Sequence, residues 1–148
     1  MSKADELPFE LTLHVRDRCL CMHVRRAARA LARRYDEALR PAGLTNGQFS
    51  LMMSLNRPAP PSMGDIATLL AMDRATLTAN LKPLERRGLV AVAVDLVDKR
   101  SRRLSLTQAG REVLAAAMPI WHRAQAENES LVPDIEPDRV RGVLRALS

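Results

Sequence analysis

The stretch SMGDIATLLAMDRATLTANLKPLERRGLV, residues 62–90, decides the fold. Ser62 and Asp65 have the spacing of a capping box, with Asp standing where Glu or Gln is usual. They open a short apolar helix, DIATLLAM. Asp73 breaks that run and starts a second helix over 74–87. In it Leu77, Leu81 and Leu84 recur at spacings of four and three and form one buried stripe. Gly88 is placed to end this helix, because glycine takes the left-handed conformation past a last turn without a Cβ penalty. The texture then changes. LVAVAVDLV (89–97) is β-branched and apolar, RRLSLT (102–107) alternates, and DKRS (98–101) lies between them, which predicts a β-hairpin. Two helices on a tight connection followed by a hairpin make a winged helix-turn-helix. The fold class is mainly α with a small β wing.

The second helix carries chemistry on its other side. Arg74, Thr78 and Lys82 lie together away from the leucines, with Ala75 and Thr76 near the start. Short hydrogen-bonding and cationic side chains on a helix that can approach closely suit the major groove of duplex DNA. Pro83 has no amide to donate, so the groove-reading part is expected to end near Lys82. The hairpin tip holds Asp98, Lys99, Arg100, Arg102 and Arg103. A narrow minor groove concentrates negative potential and attracts an inserted arginine. Asp98 repels phosphate, but it stands two residues from Arg100 and is placed to hold that guanidinium by a charge-assisted pair. A solvated hairpin tip would look the same in isolation; the helix pair just before it is what points to DNA.

Outward from this centre, the chain is helical. A first long helix is predicted over 12–40 and ends at Pro41 and Gly43. Thr45 and Gln48 form a capping box opening QFSLMMSL, and RPAPP (57–61) is a loop. Thr107 can cap a long helix from 108 toward 129 with Pro119 inside it, and a last helix runs from 134–137 through Leu147. Residues 1–148 therefore read as a single domain, with a winged middle at 45–107 flanked by helical segments 12–42 and 108–148. The flanks carry apolar residues beyond what the middle can cover, among them Leu31, Leu39, Val113, Met118, Val140 and Leu147. One winged unit also reads only a short site. Pairing of two chains through the flanking helices answers both points.

Composition narrows the class. The chain has 148 residues, 47% hydrophobic and 27% charged, the size and balance of one ordinary globular domain. Lys plus Arg outnumber Asp plus Glu by 23 to 17, and a net charge of +6 favours a polyanionic partner. Aromatics are 3%, too few to build the stacking platforms of a single-strand binder, so duplex DNA is the better partner. MSKADELPFE is no signal peptide, no apolar run approaches the ~20 residues of a membrane span, and two cysteines make no disulfide framework; a cytoplasmic protein is expected. There is no Gly-rich phosphate loop, no HExxH and no nucleophile elbow, and His14, His23 and His122 lack carboxylates spaced to orient them. No catalysis, cofactor or metal is expected.

From Leu44 to Gly110 the chain resembles the MarR family of bacterial transcription regulators. The resemblance is carried by LTNGQFSLM (44–52), DRATLTANLKPLERRGLV (73–90) and DKRSRRLSLTQAG (98–110). It implies a homodimer with interlocked terminal helices on a palindromic operator, regulated by a small ligand or by oxidation. It makes Arg100 the minor-groove arginine and Asp98 its holder, with Arg74, Thr76, Thr78 and Lys82 as groove contacts; the basic hairpin tip adds Lys99 and Arg102 as expected DNA contacts. It also implies a pocket between the dimer helices and the reading head, by position involving His23 or Cys21 on the first helix, Phe49 or Met53 on the second, and residues near Trp121. The wealth of arginine favours an anionic effector. The function expected is a repressor released by such a ligand. Two alternatives stand beside it: a thiol-based peroxide sensor using Cys21, and a ligand-independent architectural DNA-binding protein.

RCLCMH (18–23) bears on the first alternative. On one continuous helix residues advance about 100° each. Cys21 then falls on the apolar stripe with Val24, Ala28 and Leu31, and Cys19 on the arginine-rich side. Two cysteines on nearly opposite faces of a helix cannot form a disulfide, and Cys19 with His23 supplies too few ligands for zinc. Within the MarR family, the organic-hydroperoxide-sensing regulators keep a reactive cysteine near the start of the first helix. A gapless alignment through Tyr35, Pro41 and Gln48 puts Cys21 there, but Arg25 and Asn46 replace the tyrosines that hold the thiol in those sensors.

Overall fold

The computed structural model describes residues 7–148. They fall into two units, the described residues up to Arg34 and Tyr35–Ser148. The first holds α1 (Phe9–Arg18) and most of α2 (Leu20–Leu39). The single helix predicted over 12–40 is therefore two. Cys19 breaks it with an extended backbone, φ −70° and ψ 110°. No proline or glycine marks the break. The Cys19 carbonyl accepts the His23 amide at 3.2 Å, the first bond of the new helix, and lies 2.8 Å from the His23 Nδ1. Phe9, Leu11 and Val15 on α1, and Leu20, Met22 and Val24 on α2, are exposed.

The second unit follows the predicted order. After a 3₁₀ turn at Arg40–Ala42 come α3 (Asn46–Ser54), α4 (Met63–Leu69), α5 (Arg74–Arg86), β1 (Val90–Val94), β2 (Arg102–Leu106), α6 (Gln108–Glu129) and α7 (Pro137–Leu147). Both expected capping boxes form, each with its two reciprocal bonds: Thr45 with Gln48, and Ser62 with Asp65. The strands pair antiparallel from Val90↔Leu106 to Val94↔Arg102. Ser62 forms an isolated bridge to Arg103, and the Leu104 amide donates to the Pro61 carbonyl at 2.9 Å, so the wing is tied to the segment before α4. Leu39, Leu51, Met52, Ile66, Leu77, Leu84 and Leu104 are fully buried at the centre.

Backbone constraints fix where the wing meets α6. The Thr107 hydroxyl accepts the Gly110 amide at 3.0 Å and donates to the Gly88 carbonyl at 2.6 Å, while its amide donates to the Leu89 carbonyl at 3.1 Å. A Cβ at Gly110 would stand 2.1 Å from that same Leu89 oxygen, so only glycine lets the helix start here. Gly88 has φ +70°, the left-handed stop expected of it. Ala71, between α4 and α5, has φ 50° without being glycine, a strained conformation in the turn that sets the two helices.

At the far end α7 buries no side chain, and Val143, Leu144 and Leu147 are exposed. Arg141 joins it to α6 by donating to Glu129 at 2.7 Å, and it also donates to Asp138 on its own helix at 2.7 Å. No described helix is long and apolar enough to cross a membrane.

Candidate nucleic-acid interface

The α5 face is built as its sequence implies. Leu77, Leu81 and Leu84 are buried, while Arg74, Ala75, Thr76, Thr78, Ala79 and Lys82 are exposed. Asp73 caps the helix through both oxygens, one accepting the Thr76 amide and the other the Thr76 hydroxyl, each at 2.8 Å. Those bonds, the amide first, hold the Asp73 carboxyl below its ordinary pKa. The Thr78 hydroxyl donates to the Arg74 carbonyl at 2.8 Å. Both threonine protons are thus committed within the helix. What remains outward is lone pairs, which match the exocyclic amines of adenine and cytosine rather than base acceptors. The Arg74 guanidinium lies over the start of α4, 3.2 Å from where a Gly64 Cβ would be. Pro83 does not end the helix, which runs on to Arg86 and buries Leu84.

The wing differs from expectation in two ways. β1 stops at Val94, and Leu96 and Val97 belong to the loop 95–101 rather than to a strand. The cause is Asp95, a buried charged residue whose Oδ1 accepts the amides of Val97 at 2.8 Å and Asp98 at 3.3 Å. Its Oδ2 accepts from the Arg103 Nε, and Arg103 reaches the Pro60 carbonyl with Nη1 at 3.3 Å. The Val97 amide first, and the Arg103 guanidinium next, hold the Asp95 carboxyl below the usual range.

Asp98 is the second difference. It accepts the backbone amide of Arg100 at 3.0 Å, not the guanidinium. An aspartate two residues before an amide closes an Asx turn with less ordering than a long side chain needs. The wing-supporting ion pair is Asp95–Arg103. Lys99 and Arg100 are exposed on the loop, whereas the Arg102 Nη1 lies 3.3 Å from the Lys99 and Ser101 carbonyls. α5 and the wing thus bring Arg74, Thr76, Thr78, Lys82, Lys99 and Arg100 onto the exposed surface of one unit.

The residues expected at a ligand pocket are placed separately. Phe49 is buried and stacks on Trp121 with ring centroids 6.2 Å apart and planes 14° from parallel. Met53 is half-buried against the same core. His23 belongs to the first unit, with its ring on the Cys19 carbonyl. Cys21 is exposed and Cys19 half-buried, and both are free thiols. Because α2 restarts after Cys19, the single wheel that set the two on opposite faces does not apply across the break. His14 and His122 are exposed.

Asp95, Arg103 and Gly110 are the residues whose roles the sequence reading missed. A signal existed for the first two. Ala93 is the register partner of Arg103, so Asp95 is its diagonal neighbour on the same face of the hairpin, where opposite charges attract.

A family model described as the MarR family matches residues 44–101. Over a larger span, the crystal structure of the M. tuberculosis transcriptional regulator MosR in complex with DNA is similar with a TM-score of 0.79 and 40% identity, covering 88% of this chain and 93% of that one. The chain belongs to the MarR family. Its relatives are transcription regulators rather than enzymes. Another MarR-like structure, the transcriptional repressor CouR bound to a 23-mer DNA duplex, is 27% identical with a TM-score of 0.74 over 97% of this chain and 96% of CouR. The transcriptional activatory protein BadR of Rhodopseudomonas palustris is 39% identical over 79 residues, 51% of this chain and 45% of BadR. The chain thus spans about half of BadR's length, and 60% and 62% of two further curated regulators.

Proposed function

We infer that this chain is a homodimeric, cytoplasmic repressor that binds a palindromic duplex operator and is released by a small anionic ligand. The observation that carries the reading is the α5 face. Exposed Arg74, Thr76, Thr78 and Lys82 stand on a helix whose opposite side is fully anchored in the core. Such a helix fits a major groove, and Lys99, Arg100 and Arg102 on the wing fit the adjacent phosphates and minor groove. The DNA-bound MosR and CouR structures support the same use of the fold.

The exposed apolar residues of 9–24 and of α7 support pairing of two chains, with 12–42 and 108–148 as the dimerisation segments. Two recognition helices then read a two-fold symmetric site. Repression follows CouR, whereas BadR is an activator by name, so the direction of control is tested separately by transcription from a bound promoter. The effector is an anion in this reading, which arginine on α2, from Arg25 to Arg34, supports. Titration of the protein–DNA complex with aromatic and aliphatic carboxylates tests it, release at micromolar concentration being the supporting result.

The exposure of Cys21 favours a second reading, since a thiol must be reachable to react with peroxide. Operator binding before and after organic hydroperoxide, in wild type and Cys21→Ser, separates the two. Release on oxidation that vanishes in the variant establishes the thiol switch; no response in wild type leaves ligand control.

A further inference from the structure

The wing loop is turned inside out relative to an ordinary surface loop. One of its two carboxylates is inside: Asp95 is 6% exposed and takes two loop amides and the Arg103 guanidinium, while Asp98 stays exposed. Its aliphatic side chains are outside: Leu96 is 97% exposed and Val97 is 96% exposed, the two most exposed large hydrophobic residues among those described. The loop is not free to turn them in. The Asp95 amide donates to the Ser101 carbonyl, the Ser101 amide to the Asp98 carbonyl, and the Arg100 amide to the Asp98 side chain. The amides of Asp95, Val97, Asp98, Arg100 and Ser101 are all engaged in this conformation.

Water gives such an arrangement nothing, since two aliphatic side chains held in solvent are a standing cost. It becomes useful against a partner with apolar surface. The charge around them states what else that partner carries: Lys99 and Arg100 on the loop and Arg102 at the start of β2 are exposed within six residues of Leu96 and outnumber the one exposed carboxylate there, Asp98, so the partner is anionic. Duplex DNA has both properties at its minor groove, where deoxyribose edges form apolar walls between two rows of phosphates and a wedged side chain can part a flexible base step.

We propose that Leu96 and Val97 form an apolar wedge that packs into the minor groove beside Arg100, with the Asp95–Arg103 pair as the brace that presents it. The proposal rests on the DNA-binding reading above and extends it: wing affinity has a salt-independent, apolar part in addition to its cationic part. It also assigns a preference for pyrimidine–purine steps at the wing position, because those steps open most easily.

The test uses a duplex enriched by the wild-type protein from a random-sequence pool. Affinity and its salt dependence are then measured on that duplex for wild type, Leu96→Ser with Val97→Ser, Leu96→Met with Val97→Ile, and Arg100→Ala. The double serine variant is expected to bind ~30-fold more weakly with an unchanged salt slope, since it loses apolar contact and no charge. The Met/Ile variant retains wild-type affinity, and Arg100→Ala lowers the slope by about one. Both changed side chains are solvent-exposed, so the melting temperature stays put and loss of fold cannot mimic the effect. Serine variants that bind within twofold of wild type overturn the wedge while leaving the DNA reading intact. A change in association state instead of affinity overturns it in favour of a protein contact. Failure of the wild type to enrich any duplex sinks the DNA reading and the wedge with it.

Discussion

Replacing Arg100 by alanine removes one exposed cation from the wing, and the expected signature is a shallower salt dependence of binding, with operator affinity falling as well. Replacing Thr78 by alanine removes an acceptor and no charge, so base preference should shift while the salt slope stays. Binding-site selection on the two variants, with salt titrations, distinguishes these outcomes. Two residues serve the scaffold only. Gly110→Ala puts a Cβ 2.1 Å from the Leu89 oxygen, and the clash is with backbone that cannot step aside; a loss of about 3 kcal/mol in denaturant unfolding is expected. Ala71→Gly relieves a left-handed alanine, worth about 1–2 kcal/mol, against a glycine entropy cost of about 0.5–1, for a net gain of about 1 kcal/mol in the same experiment. At this scale the sequence was partly legible. The Leu77, Leu81 and Leu84 stripe declared itself by spacing. The Ala71 strain did not, since alanine carries no mark of a positive φ. Asp98 was assigned to the right loop with the wrong bond, because spacing gives proximity without telling side chain from amide.

Helices with their own caps were readable as elements, because a capping box and a helical stripe are local and need no tertiary partner. The wing loop was not. LVAVAVDLV has the texture of a long strand, but the strand ends where Asp95 meets Arg103, a residue on the other strand. The break at Cys19 escaped as well, since no proline or glycine marks it. The Asp95 brace makes the wing acid-sensitive. Its carboxyl is held below its ordinary value, so it contributes stability that is present above the unfolded pKa of about 3.9 and lost as pH falls through the lower folded value. Amide exchange at Val97 and Asp98 should therefore follow only its ordinary pH dependence from pH 8 to 5, with excess exchange below pH ~4. Asp95→Asn should show that loosening already at pH 7. Equal protection in the variant and wild type would mean the loop is held by something other than this carboxylate.

For the molecule as a whole, dimerisation and groove reading stand or fall together. Val143 and Leu147 are exposed on a helix that buries nothing within its own chain, so Val143→Glu with Leu147→Glu should shift the sedimenting species from two chains to one. Operator affinity should fall at least ~10²-fold with it, because a single recognition helix reads only a half-site. The winged middle and the order of its flanking helices were legible because they follow from patterns within one chain. The effector was not, because a pocket's chemistry depends on which side chains from distant segments converge. The most direct measurement is quantitative binding, at one fixed salt concentration, to the palindrome enriched by the protein and to the same duplex scrambled. Two chains per duplex and a preference of ~10³-fold or more for the palindrome are expected. Binding to the scrambled duplex within about tenfold of the palindrome would contradict sequence-specific regulation and leave an architectural DNA-binding protein in its place.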